Sequence, residues 1–185
     1  MIAWCVMDQG RIERVHVRSQ LGFTLIEMMI TVAVIAILAL IVVPTFFKES
    51  RKTKSASEVT PMMAELAVRE EQYKSDNGAY LAAATCPATT TAAGTAASSC
   101  ITAGTPGSEW YQLRVNPVES LLRCTYEVVV GNTSGTSVVA FGFTSPAFNW
   151  FYVLATCDMD GDSTKDATYF MSSVDSKMQS VNEGF

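Results

Sequence analysis

The chain has one histidine among its 185 residues, and that residue, His16, lies near the amino terminus. Removal of residues 1–22 would leave no histidine at all. Histidine is the most frequent general base in enzymes and the commonest metal ligand in proteins. The remainder also has no serine or cysteine beside an obvious base. The sequence therefore argues against a membrane-anchored exported enzyme and predicts a protein without catalytic activity.

Positive charge is scarce beyond the amino terminus. Residues 1–22 contain three arginines and two acidic residues, so the remainder has ten basic and sixteen acidic residues and a formal charge of −6. Proteins that bind nucleic acid through bulk electrostatics need an excess of lysine and arginine. We therefore do not expect a nucleic acid partner.

Cysteine is present in a small number. Of the five, Cys5 lies in residues 1–22, which leaves an even four in the rest of the chain. An even count fits two disulfides formed in an oxidising compartment, and the alternative is four reduced thiols in a cytoplasmic protein. Three pairings are open. The short separation favours Cys86–Cys100, and Cys124–Cys157 would then join two strands.

One long uncharged segment dominates the chain. Residues 28–47 contain no charge, and only Thr31, Pro44 and Thr45 interrupt the apolar side chains. Twenty helical residues span about 30 Å, which is the thickness of the hydrocarbon core of a bilayer. Because the basic residues precede this segment, the positive-inside tendency predicts that they stay in the cytoplasm and that the acidic remainder faces outward.

Residues 48–78 have the pattern of an amphipathic helix. The apolar stripe consists of Ala56, Val59, Met62, Met63, Leu66 and Tyr73. The charged residues between them, expected to face water, are Glu58, Glu65, Arg69, Glu70 and Lys74. With Asp76-Asn77-Gly78 as a stop signal, the sequence predicts one helix over about residues 23–77, with bends or local unwinding near Pro44 and Pro61.

The rest of the chain predicts a loop followed by strands. Residues 79–109 are rich in Ala, Thr, Ser and Gly and form a variable loop. Residues 110–185 form an antiparallel sheet and a cysteine-closed region, with strands predicted at 110–115, 121–130, 137–143, 150–155 and 167–171. One sheet face must cover the stripe of the helix, so the predicted class is α+β, with a long N-terminal helix packed on a C-terminal antiparallel sheet.

Two residues indicate that the apolar segment does more than anchor the chain in a membrane. Gly22 precedes the apolar core, so cleavage after it would leave the membrane segment on the mature chain and make Phe23 the new amino terminus. Glu27 places a carboxylate at the margin of that segment, where a charge normally has a partner. The freed α-amine is such a partner, either within one chain or in a neighbouring copy, where the pair would fix the register. Alternatively, Glu27 only decorates a helix start near lipid headgroups.

The sequence Gly22-Phe-Thr-Leu-Ile-Glu27 and the apolar residues up to Pro44 resemble the N-terminal signature of type IV pilins and pseudopilins. The resemblance implies a pilin fold, cleavage after Gly22 by a prepilin peptidase and N-methylation of Phe23. It also implies that Glu27 acts in assembly and that the helix melts near Pro44 within a filament. The implied partners are further copies of the chain, the assembly machinery and, before assembly, the inner membrane.

Three features of the sequence each allow two interpretations. The 22-residue leader is longer than usual for pilins that begin with phenylalanine, which suggests a translation start at Val17. Asp158, Asp160 and Asp162 alternate as hard oxygen ligands for calcium do, although an acidic solvated turn has the same pattern. The implied role is the structural subunit of a pilus on the bacterial surface, serving adhesion or twitching motility. The alternative is a type II secretion pseudopilin or a minor pilin.

Overall fold

The structure is a computed structural model that describes residues 22–101, 107–162 and 164–184. The predictions for the basic leader and for a start at Val17 concern residues 1–21 and lie outside the described residues. The chain divides into two units, the first ending at Ile41 and the second comprising Val42–Phe185.

The main helix, α1, comprises Leu25–Asn77 and agrees closely with the predicted span. It ends as the Asp-Asn-Gly sequence predicts. Gly78 has a φ of +82°, and its N–H donates to the carbonyl of Lys74 at 2.7 Å. A left-handed residue at this position favours glycine because a Cβ would be strained. The helix continues through Pro44 and Pro61, so the local unwinding predicted at these prolines is not found in the described helix.

The sheet of the second unit is antiparallel throughout. Its strands are β1 Ala83–Cys86, β4 Cys124–Gly131, β7 Trp150–Cys157, β8 Ala167–Ser172 and β9 Gln179–Val181, in the spatial order β1-β4-β7-β8-β9. Two small pairs complete the strands: β2 Thr95–Ala96 with β3 Leu121–Leu122, and β5 Ser137–Val138 with β6 Phe143–Thr144. The fold class is α+β, as predicted.

The amphipathic part of α1 packs on one face of this sheet. Val59, Met62, Met63 and Leu66 are buried at helical spacing and belong to one core with strand residues such as Val128. The other face of the sheet carries a separate aromatic cluster that the β5–β6 segment helps to form. This cluster consists of Phe141, Phe143, Trp150 and Phe170. The sheet is therefore covered on both faces, which explains why its central strands are apolar on both sides.

Residues 110–115 do not form the predicted strand. Glu109–Leu113 form a short helix, α2, and Ser108 caps its start by accepting a hydrogen bond from the N–H of Tyr111 at 3.3 Å. Trp110 and Leu113 are buried three residues apart while Tyr111 between them is exposed, which is a helical spacing. The density of aromatic and β-branched residues in this segment is typical of a strand. The segment is helical instead because Ser108 caps the first turn.

Two other segments differ from their predicted structure. The strand predicted at residues 137–143 is divided into β5, a 3₁₀ turn of Val139–Phe141 and β6. Gly142, with a φ of +64°, ends the turn and lets the chain return to the extended conformation of β6. Within residues 79–109, described above as a loop, β1 pairs with β4 at the edge of the main sheet. Ala and Thr gave this strand no recognisable alternation.

Candidate assembly segment and its anchoring

The start of α1 is fixed by Thr24. The N–H of Met28 donates to the Thr24 carbonyl at 3.2 Å, and the N–H of Glu27 donates to Thr24 Oγ1 at 3.3 Å. Thr24 is thus the N-cap, and Glu27 occupies the third helical position. Thr-x-x-Glu in this register is the capping-box sequence, in which the glutamate can in turn bond the N–H of the cap residue. This capping role of Thr24 was not predicted, although Thr24 and Glu27 show the motif in the sequence.

The first half of α1 presents its apolar side chains to the outside. Every residue from 22 to 49 is exposed, and Leu25 and Leu40 retain 78% and 77% of their surface. Part of α1 has a mean hydropathy of 2.9 over 18 residues, none of them buried. An exposed apolar surface of this extent marks a membrane or protein contact. By length and composition this helix can cross a membrane.

Two threonines interrupt the apolar surface without leaving a free hydroxyl donor. Thr31 Oγ1 donates to the carbonyl of Met28 at 2.9 Å, and Thr45 Oγ1 donates to the carbonyl of Val42 at 2.8 Å. Such back-bonding satisfies the hydroxyl within its own helix, as an apolar environment requires. Glu27 is the one ionisable side chain among residues 23–47.

Between Arg51 and Glu58, four polar contacts fasten α1 to the sheet and to the segments beside it. Arg51 pairs with Asp160 at 3.2 Å, Lys52 with Glu183 at 2.7 Å, and Ser55 shares a 2.6 Å hydrogen bond with the Tyr169 hydroxyl. The fourth contact centres on Glu58 and is described next. We call these four contacts the anchoring contacts.

Glu58 is a buried carboxylate with several donors around it. It accepts hydrogen bonds from the backbone N–H groups of Arg123 at 2.9 Å and Cys124 at 3.0 Å, and from the Tyr126 hydroxyl at 3.2 Å. Burial raises the pKa of Glu58, and these donors oppose the rise. The expectation that Glu58 faces water was wrong, because a carboxylate can be buried where donors satisfy it.

Glu70 is the second buried carboxylate that was expected to face water. Its Oε2 accepts a hydrogen bond from the Leu81 N–H at 3.0 Å, whereas its Oε1 has no partner among the described residues. Burial, with a smaller contribution from Glu71, raises the pKa of Glu70 to about 7. The side chain ties the last turns of α1 to the segment that leads into β1.

The four cysteines of the second unit form two disulfides. Cys86 is joined to Cys100, and Cys124 is joined to Cys157. These are the pairs that the short separation favoured. Cys124 and Cys157 face each other directly in the β4–β7 register, with their Cα atoms 4.2 Å apart. The first disulfide closes the end of β1 onto the loop, and the second fastens the two central strands.

The acidic loop after β7 does not assemble the predicted calcium ligands. Asp158 accepts from the Gly161 N–H at 2.6 Å, Asp162 accepts from the Thr164 N–H at 2.9 Å, and Asp160 pairs with Arg51. In the part of the chain that the structure describes, which omits Ser163, no three acidic, cysteine or histidine side chains lie together as metal ligands would. Calcium binding stays a prediction from the sequence.

Comparisons with known proteins agree with the N-terminal features. Residues 17–43 match the model of the prokaryotic N-terminal methylation motif. The chain is 38% identical over 63 residues to the type IV wide pilus major component PilA4 of Thermus thermophilus, covering 34% of this chain and 47% of that protein. It is 39% identical over 70 residues to the type IV major pilin protein PilA of Myxococcus xanthus, covering 38% and 31%.

A third relative belongs to a secretion system. The chain is 40% identical over 63 residues to the type II secretion system core protein G of Vibrio cholerae, covering 34% of this chain and 42% of that protein. The chain thus spans less than half the length of these curated relatives. No solved structure matches the chain significantly. These relatives are named as structural components and not as enzymes. The chain thus carries the N-terminal methylation motif and, over 63 to 70 residues, is similar both to type IV pilins and to a type II secretion core protein.

Proposed function

We propose that the chain is a structural subunit of a type IV pilus, held in the inner membrane as a precursor and then assembled into a filament on the bacterial surface. In this proposal, a prepilin peptidase cleaves after Gly22, Phe23 is N-methylated, and the assembly machinery polymerises the subunit through α1. The filament serves adhesion and twitching motility, and Pro44 marks the point where α1 melts during packing.

The observation that carries the proposal is the fully exposed apolar surface of residues 23–47 with Glu27 as its one charge. A bilayer covers such a surface in the precursor, and the same surface of further copies covers it in a filament. A methylated α-amine keeps its positive charge, so Glu27 of one subunit has a cationic partner at the amino terminus of a neighbour. The attraction between the two charges offsets the cost of taking them out of water, whereas Glu27 without a partner would be an uncompensated charge in the apolar surface.

The capping geometry provides a sharp test of this role. Glu27→Gln keeps a side chain that can complete the capping box and removes only the charge. If Glu27 pairs with an amine, Glu27→Gln and Glu27→Ala both give processed, membrane-resident subunits that do not polymerise. If Glu27 only caps the helix, Glu27→Gln assembles normally. The measurement is the amount of subunit in sheared surface filaments, with Glu49→Gln, an exposed carboxylate beyond the apolar segment, as the control.

Processing is tested separately by mass spectrometry. The mature subunit should begin with N-methylated Phe23, and an unmodified amino terminus or a different first residue would refute this part. In the uncleaved precursor, a peptide that contains Trp4 would refute a translation start at Val17.

The second candidate is a pseudopilin of a type II secretion system or a minor pilin, favoured by the similarity to the Vibrio cholerae secretion protein. A deletion strain separates the candidates. Loss of long surface filaments supports the pilus subunit, whereas intact filaments with blocked protein export support the pseudopilin.

A further inference from the structure

A groove of about 350 Å³ lies between the last turns of α1 and the short helix α2. Leu113, which is buried, contributes an apolar element to its lining. Small-ligand pockets begin at about 300 Å³, so the groove has room for one or two sugar-sized rings. Its lining residues take no part in the apolar segment or in the anchoring contacts.

Two tyrosines line this groove. Tyr73 comes from α1 and is half-buried, and Tyr111 comes from α2 and keeps 53% of its surface exposed. An exposed tyrosine ring offers an apolar face together with a polar hydroxyl. The C–H faces of sugar rings pack on such rings.

The polar lining is rich in hydrogen-bond acceptors. The amide nitrogen of Asn77 donates to the Tyr73 carbonyl at 3.0 Å, and the amide nitrogen of Gln112 donates to the Gly107 carbonyl at 3.0 Å. Each amide keeps its oxygen as an acceptor for a ligand. The carboxylate of Asp76 adds a third acceptor group. Three acceptors in one groove call for a ligand with several donors.

Donor groups lie beside the acceptors. Arg69 is paired with Glu65 at 2.8 Å and also donates to the side-chain amide oxygen Oε1 of Gln72 at 3.4 Å, so the side-chain amide nitrogen of Gln72 stays available. Arg114 pairs with no carboxylate among residues 22–101, 107–162 and 164–184. Its guanidinium is the principal donor of the groove.

The backbone of Arg114 is unusual. Its φ is +54° and its ψ is +38°, in the left-handed region where an arginine is disfavoured and glycine or asparagine is expected. Non-glycine residues in such conformations concentrate at binding and catalytic sites. Glycine would suit the backbone at the end of α2 better than arginine. The presence of arginine at this position therefore indicates that its side chain has a function.

We propose that this groove binds a saccharide. The hydroxyl groups of a sugar donate to Asp76, Asn77 and Gln112, and its ring, hydroxyl or carboxylate oxygens accept from Arg114. The tyrosines pack on its C–H faces. A phosphate polymer has no comparable donors for these three acceptors. The proposal is independent of polymerisation, because all the lining residues belong to the second unit.

Binding of the detergent-solubilised full chain to an array of neutral and uronic-acid-containing oligosaccharides tests the proposal. We expect binding to members of the array and a loss of about tenfold or more in Tyr111→Ala and in Asp76→Ala, since tenfold corresponds to the loss of one good contact. Phe148→Ala is the control, because Phe148 is an aromatic residue of similar exposure outside the groove.

Arg114→Gly separates binding from folding. This variant removes the guanidinium but suits the left-handed backbone, so it should bind the same saccharides about tenfold more weakly while its unfolding temperature is not lower than that of the native chain. Absence of binding to every array member, or unchanged binding by the groove variants, overturns the proposal. So does Arg114-dependent binding of a single-stranded oligonucleotide, or a loss of filaments in these variants without a loss of saccharide binding.

Discussion

Replacement of Glu70 by glutamine should stabilise the protein at alkaline pH. Glu70 is completely buried, one carboxylate oxygen accepts from the Leu81 N–H, and the other oxygen has no partner among the described residues. Glutamine has nearly the same shape, keeps an oxygen for Leu81 and carries no charge at any pH. The variant therefore isolates the free-energy contribution of the buried charge.

The size of the effect follows from the pKa. Burial raises the pKa of Glu70 from 4.5 to about 7. The folded protein thus binds this proton more tightly than the unfolded chain, and stability falls as the pH rises from about 4.5 to about 7. One pKa unit corresponds to about 1.4 kcal/mol, so the native chain loses about 3 kcal/mol above pH 7 and less than about 1 kcal/mol at pH 5.

The decisive quantity is the stability of Glu70→Gln relative to the native chain, compared between pH 5 and pH 8. The glutamine NH₂ has no acceptor, which costs about 1–3 kcal/mol at every pH and cancels when the pH values are compared. Urea unfolding of the full chain in detergent, followed by tryptophan fluorescence at pH 5 and pH 8, gives this difference. We expect the free energy of unfolding of Glu70→Gln, relative to that of the native chain, to increase by about 2–3 kcal/mol from pH 5 to pH 8. A pH-independent difference, or equal behaviour of the exposed control Glu49→Gln, would refute the reasoning.

Three further predictions concern stability. Glu58→Ala should lower the free energy of unfolding by about 3 kcal/mol or more in the same urea assay, because two strand N–H groups and a tyrosine hydroxyl lose their acceptor; a loss below about 1 kcal/mol would contradict it. Replacing both Cys124 and Cys157 by alanine should cost about 3–4 kcal/mol, since the disulfide closes a long loop, and a variant as stable as the native chain would count against this. Millimolar calcium should raise the unfolding temperature if the sequence-based ligands bind it, and Asp162→Asn should reduce that rise; an unchanged temperature disposes of the calcium hypothesis.

The helix and the central strands were predictable because they depend on local signals. The three- and four-residue spacing of Val59, Met62 and Leu66 predicts the buried face of α1, and the Asp-Asn-Gly sequence predicts its end. The strands β4, β7 and β8 follow from dense β-branched and aromatic residues. Around Trp110, strand-forming residues follow a serine that can cap a helix, so the local signals conflict, and the segment forms a helix.

The polar contacts of the second unit were not predictable in this way. The donors that satisfy Glu58 lie 65 and 66 residues further along the chain, at Arg123 and Cys124. No spacing along a single helix can show that a glutamate meets the N–H groups of a remote strand. The same holds for the saccharide groove, whose lining comes from α1 and from a helix that the sequence had indicated as a strand. The N-terminal segment was different, because its match to the methylation motif rests on contiguous residues.

The four anchoring contacts have a mechanical consequence. Within one stretch of α1, from Arg51 to Glu58, the helix is tied to four separate places in the second unit: the loop after β7, the segment after β9, strand β8 and the start of β4. Withdrawal of this stretch of helix from the sheet therefore requires that all four contacts break. If the chain is the proposed filament subunit, tension along α1 would have to overcome two ion pairs, the Ser55–Tyr169 hydrogen bond and the Glu58 contacts before the helix left the sheet.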